Sequence, residues 1–260
     1  FDELCHASLR DGVRLSNARS YGFKHNDLDD LHKKYKNTYN SEGHTYVVVE
    51  SIYSMDGTMS ALKKLVEFCR NFNCYLIVDE AHATGFFGEN GRGLVSEWGL
   101  ENYVFARVHT FGKALGCHGA VVLGAIELRE VLINYARSFI YTTAMPLHNV
   151  LCIKYGVQEL LVSKEIKKLR ANVDLFKEEI KVVQLEQYFL ESDGPIQSFV
   201  ISDPNKAKEI SAKLRGESFD VRAILSPTVA LGSERLRFCI HSYNSSFEIK
   251  KILKLLSTFV

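Results

Sequence analysis

The chain has 260 residues, 46% of them hydrophobic and 24% charged, enough apolar content for one full core and room for a second. Its 32 lysines and arginines nearly balance 31 aspartates and glutamates, so no global basic field is available to hold nucleic acid. No apolar run reaches the length of about 18 residues that a membrane-crossing helix needs.

The opening Phe1-Asp-Glu-Leu4 has neither the basic-then-apolar pattern of a signal peptide nor an initiator methionine. It reads as starting in mid-element, which predicts that these residues are a portion of a longer chain. Cys5, Cys69, Cys74, Cys117, Cys152 and Cys239 form no CxxC pair and no framework spacing. Cys69, Cys74 and Cys239 lie in apolar stretches, where a thiol is a small core residue, and a reducing cytoplasmic compartment is expected.

In chain order, Asn26 is placed to cap a helix running to Tyr39, with Leu28, Leu31 and Tyr35 on one face. Thr45 to Ile52 is rich in β-branched residues and predicts a strand buried on both faces. Met55-Asp-Gly57 turns the chain. Apolar residues at 62, 65, 66, 69 and 72 then give the spacing of an amphipathic helix.

Cys74 to Asp79 predicts a second buried strand, followed by a loop punctuated by Gly85, Gly88, Gly91 and Gly93. Two further short strands are expected at Tyr103–His109 and Gly119–Gly124. Strands alternating with helices over such connections imply right-handed crossovers and a mainly parallel α/β sheet. A helical pattern follows over 147–181, then strand 197–202, helix 204–215, strands 219–225 and 235–241, and helix 246–259. The expected organisation is a large domain over 1–150, a linking helix over 151–184 and a small α/β domain over 185–260.

Ligand chemistry in open parallel sheets collects at the carboxyl ends of strands, where Asp79 and the Thr110–Lys113 turn both fall. Asp79 ends an apolar strand, His82 follows three residues on, and Lys113 sits between Gly112 and Gly116. Singly these are what a helix cap, a structural histidine and a surface lysine look like. Jointly they suit pyridoxal phosphate: a lysine for the Schiff base, a carboxylate for the ring nitrogen and an imidazole for the ring hydroxyl. A lysine tucked into a tight internal turn is expected to lose solvation, which favours its neutral amine. Thr110 offers a hydroxyl to a phosphate.

Rival sites fit less well. A dinucleotide fingerprint needs GxGxxG directly between strand and helix, whereas the glycines here are spaced GxxGxxGxG and begin only at Gly85. There is no GxxxxGK[ST] for a nucleotide P-loop. Asp79, His82, His109 and His118 lack the HxxxH or HxH spacing of a preformed metal site, so no metal is expected.

Four segments carry a resemblance: Glu50-Ser-Ile-Tyr-Ser-Met-Asp-Gly57, Val78-Asp-Glu-Ala-His-Ala-Thr-Gly85, Gly88-Glu-Asn-Gly-Arg-Gly93 and Thr110-Phe-Gly-Lys-Ala-Leu-Gly116. Together they resemble the α-oxoamine synthases, fold-type I pyridoxal-phosphate enzymes. The likeness extends to Asp2–Ser8 and His25–Asp27 early, and to Pro227–Val229 and Glu234–Arg237 late, so it covers essentially the whole chain. It implies the seven-stranded type of sheet, a small C-terminal domain and an N-terminal segment absent here.

Within that family, the run Ala136–Pro146 and the strand after Lys113 most resemble the members that condense L-alanine with a pimeloyl thioester in biotin synthesis. Sister enzymes use glycine or serine with other acyl-CoA substrates. The resemblance implies that Lys113 holds the cofactor and moves the Cα proton, and that Asp79 pairs with the pyridinium nitrogen. It further implies that His82 and Ser54 address the ring hydroxyl, His6 stacks on the ring and Thr110 binds the phosphate. Thr143 would reach the phosphate of the neighbouring subunit of a homodimer, and Arg237 would take the amino acid carboxylate through its planar fork. Leu225 stands where several biotin-pathway members carry arginine, which puts more of the carboxylate recognition on Arg237. A non-catalytic relative keeping the fold as a scaffold would have no need of the Asp79, His82 and Lys113 trio.

Overall fold

The computed structural model describes residues 1–259. They form two compact units: one made of Phe1–Tyr53 and Ser60–Ser163, the other of Ser54–Met59 and the chain from Lys164 onward.

The first unit is built on a four-stranded sheet of β1 (Thr45–Glu50), β2 (Cys74–Asp79), β3 (Ala106–Thr110) and β4 (Ala120–Gly124), in that order. β1, β2 and β3 are parallel, because the connections between them are long enough to cross back over the sheet. β4 is antiparallel to β3, since the turn 111–119 is too short for a crossover. Val47, Val49, Leu76 and Val78 are almost wholly buried, as are Leu62, Leu65 and Cys69 of α3 (Leu62–Asn71), which packs on β2.

α1 (Ala7–Leu15) and α2 (Leu28–Thr38) precede the sheet. The cap of α2 is Asp27, not Asn26: the Asp27 carboxylate accepts from Asp30 N at 2.8 Å. Asn26 instead adopts φ 53° and gives its own N–H to Asp2. α4 (Leu94–Glu97) closes the glycine loop, and α5 (Ile126–Tyr135), α6 (Arg137–Ile140) and α7 (Leu147–Val162) follow β4. These last three helices bury no side chain, and Tyr135, Phe139, Tyr141 and Leu147 are all more than half exposed.

The single linking helix expected over 151–184 is two helices, α7 and α8 (Glu165–Val182), separated by Ser163 in extended conformation. In the second unit an antiparallel sheet runs β5 (Ile196–Val200), β7 (Arg235–Cys239), β6 (Arg222–Ile224). α8 packs against α10 (Ser246–Leu256), which starts at a Ser245/Glu248 capping box. α9 (Pro204–Gly216) is capped by Asp203 with Pro204 in its first turn. Phe176, Phe199, Leu214, Leu236 and Leu253 make the core of this unit. All six cysteines are free, and Cys239 is exposed rather than a core residue, because it lies on the outward-facing row of β7.

Candidate active site

Strand register assembles the site. Glu50 pairs in register with Asp79, and Asp79 with Val108, so these residues and Thr110, two positions beyond Val108, share one face of the sheet at its carboxyl end. Glu50 and Asp79 are both buried there, at 2% and 7% exposure. Neighbouring Ser51, Glu80 and His109 take the opposite face.

Each face has its own job. Glu80 is fully buried and accepts from Ser51 Oγ, Leu94 N and Val95 N at 2.8 to 2.9 Å, so it ties the end of β2 to the first turn of α4. Thr84 Oγ1 donates to Glu80 O at 2.7 Å, and having one proton, it must accept from His109 Nδ1 at 2.8 Å. These bonds hold the Asp79–Thr84 turn against β3.

On the site face, the Asp79 carboxylate accepts from Ala81 N at 2.8 Å. Burial raises the Asp79 pKa, while that N–H and the charges of Lys113 and His6 oppose the rise. Glu50 is pushed up to about 8, first by burial and then by the Asp79 charge; the His6 N–H and Lys113 pull the other way. Of the two in-register carboxyls, Asp79 therefore carries the charge near neutrality and Glu50 the proton.

His6 caps α1: its Nδ1 accepts from Ser8 N at 3.2 Å, and its backbone N–H goes to the Glu50 carboxyl. Lys113 is exposed in a turn closed by Gly116 N to Lys113 O and Cys117 N to Phe111 O. The loss of solvation expected for it is not found: α7 and the Gly85 loop pack on the Ala114–Cys117 side of the turn and leave the Lys113 side chain exposed. Its charge nonetheless reaches both Asp79 and Glu50. His82 lies half-buried in the Asp79–Thr84 turn.

The structure thus gathers His6, Asp79, Lys113 and Thr110 in the first unit. Ser54 and Arg237 meet in the second, where an Arg237 guanidinium nitrogen donates to Ser54 O at 3.0 Å. Thr143 is exposed between α6 and α7 and bonds to none of the others. Glu50 was missed by sequence reasoning, although a charged residue ending a run of valines was the same signal that marked Asp79.

These residues fit pyridoxal phosphate. The hydroxyl of Thr110 is buried without a hydrogen-bond partner, an orphan that a phosphate oxygen would satisfy. Asp79 supplies a buried negative charge and Lys113 an accessible amine within its field.

The aminotransferase class I and II family model matches residues 1–254. The chain belongs to that family. Among curated class I and II relatives, it is 36% identical to 8-amino-7-oxononanoate synthase of Emericella nidulans, covering all of this chain and 67% of that protein. The same enzyme of Pseudomonas entomophila is also 36% identical, over 98% of this chain and 65% of its own. Family members of known structure agree. 8-amino-7-oxononanoate synthase of Francisella tularensis superposes with a TM-score of 0.84 at 32% identity, over 99% of this chain and 73% of its own. Serine palmitoyltransferase of S. paucimobilis, solved with bound PLP and myriocin, gives 0.91 at 27% identity, over 99% and 65%. The chain spans about two thirds of the length of the relatives it matches. The cofactor of this fold-type I, class I and II chain is pyridoxal phosphate.

Proposed function

We propose that the protein to which these residues belong carries out a decarboxylative condensation of an amino acid with an acyl thioester, L-alanine with pimeloyl-CoA or its acyl-carrier-protein counterpart, giving 8-amino-7-oxononanoate. The observation that carries this reading is the shared strand-end face on which Asp79, Thr110 and the field of Lys113 converge. The relatives named as that synthase support the substrate choice.

When bound, pyridoxal phosphate supplies an electron sink for negative charge at the amino acid Cα. Asp79 contributes a buried carboxylate that holds the ring nitrogen in its cationic form. Lys113, whose side chain is exposed, is the amine that would hold the cofactor and would take and return the Cα proton. Thr110, its hydroxyl buried and unpaired, would donate to the phosphate, and His6 and His82 would address the ring. Arg237 spends one N–H on Ser54 O and keeps others for the substrate carboxylate. The proposal assigns Ser54 to the ring hydroxyl.

A homodimer belongs to this proposal. It is supported by the apolar side chains left exposed along α5 to α7, and Thr143 lies in the same exposed stretch. No described helix is long and apolar enough to cross a membrane, and six free cysteines fit a cytoplasmic setting.

One second reading has specific support. Leu225 replaces an arginine expected in the biotin branch, and a serine palmitoyltransferase with bound PLP superposes at a TM-score of 0.92. A sister synthase using serine or glycine would satisfy both. The test is a panel of alanine, serine and glycine against dicarboxylic, long and short acyl-CoA substrates, reading thiol release. Turnover with alanine and pimeloyl-CoA supports the first reading; turnover only with serine or glycine replaces it, and none with any pair rejects both.

A further inference from the structure

α1 buries none of its side chains, so packing does not set where its first turn lies. The segment leading into it is held by Phe23 and Asn26, which bond Glu3 N and the Asp2 carboxylate, and by a set of bonds to β1. Asp2 N donates to Val48 O at 3.1 Å, Cys5 Sγ approaches the same oxygen, and His6 N donates to Glu50 Oε1. Glu50 is itself immobilised on both sides: Ser60 Oγ donates to its carbonyl at 2.6 Å, and Ser51 N donates to Asp79 O at 2.8 Å. A 2%-exposed carboxyl is costly to bury, and its bond to one backbone N–H of an exposed residue is an unusual use for it.

We propose that Glu50 is a positioning residue of the cofactor site: its buried carboxyl anchors the backbone of His6 beside Asp79 and so presents the His6 imidazole to the ring. This rests on the reading that the first unit binds pyridoxal phosphate, which gives His6 a ring to meet. The geometry explains why a second carboxyl stands in register with the one that serves the ring nitrogen. Glu50 needs only an acceptor oxygen for this task, and its acid form, whose carbonyl oxygen still accepts, leaves the negative charge on Asp79.

Two substitutions of nearly equal volume separate the roles. Glu50→Gln keeps an acceptor oxygen, whereas Glu50→Met removes it. In the cofactor-free chain, hydrogen exchange at the His6 amide is read by NMR: E50M should exchange about tenfold faster than wild type, with E50Q staying near it. With pyridoxal phosphate added, E50M should bind about tenfold more weakly and lose its visible circular dichroism, and E50Q should retain both. Equal exchange in E50M and wild type overturns the anchor, as does a freely exchanging His6 amide in wild type, which requires no variant. Damage in E50Q equal to that in E50M overturns the acceptor role. If wild type binds no cofactor, the functional reading fails, and the amide measurement still decides whether Glu50 anchors His6.

Discussion

Gly85 faces Ala114 so closely that a methyl group on Gly85 would stand 2.3 Å from the Ala114 Cβ. Gly85 also has φ 82°, in the left-handed region that a side chain disfavours. The contact presses the loop that carries Asp79 and His82 against the turn that carries Lys113. The two halves of the site are in register because one residue between them has no side chain.

Gly85→Ala should therefore destabilise the chain by about 2–3 kcal/mol through overpacking and backbone strain together. Urea unfolding checks this. Cofactor affinity should fall as well, since either loop must retreat. A wild-type midpoint with wild-type affinity would show that the contact is not needed.

Thr110→Val separates stability from binding. The hydroxyl is buried and unpaired, so its removal should leave cofactor-free stability within about 1 kcal/mol of wild type or improve it. Pyridoxal phosphate affinity should drop about tenfold, because the phosphate loses a donor. Calorimetry of unfolding and titration of the cofactor, run on one preparation, decide both halves.

Lys113→Ala should change stability by no more than about 0.5 kcal/mol, as expected for an exposed side chain. It should abolish the adduct that borohydride reduction fixes on the wild-type chain. Mass spectrometry of digested, reduced protein locates that adduct; finding it on another lysine would remove Lys113 from its role.

Stability should also fall as pH rises through the range where Glu50 ionises. A carboxyl whose folded pKa is raised to about 8 holds its proton more tightly in the native state. The stabilisation this gives is complete below the ordinary carboxyl range and is lost as pH climbs through about 8. Glu50→Gln has no such proton to lose, so its unfolding midpoint should decline less than that of wild type between pH 5.5 and 9. Parallel declines in both would place the ionisation elsewhere.

Much of this was legible in the residues. The valine-rich run ending at Glu50 and the strand 74–79 announced themselves, and Asp79 stood out because nothing apolar explains an acid there. Other features were hidden for physical reasons. The break at Ser163 carries neither glycine nor proline, so helical spacing runs through it without a mark. The antiparallel sense of β4 was readable from the shortness of 111–119, an arithmetic that alternation of elements alone does not perform. The exposure of Lys113 depends on what covers a turn, and local sequence says nothing about cover.

His109 shows what a single hydroxyl can settle. Thr84 accepts from its Nδ1, so the Nε2 lone pair stays buried and bare, and burial with the Arg107 charge brings the imidazole down to about 4. The histidine lying beneath the site is thus silent over the physiological range. An inflection between pH 7 and 9 in the absorbance of the loaded protein cannot originate from it, so spectroscopic titration has one fewer suspect and can be read against Glu50.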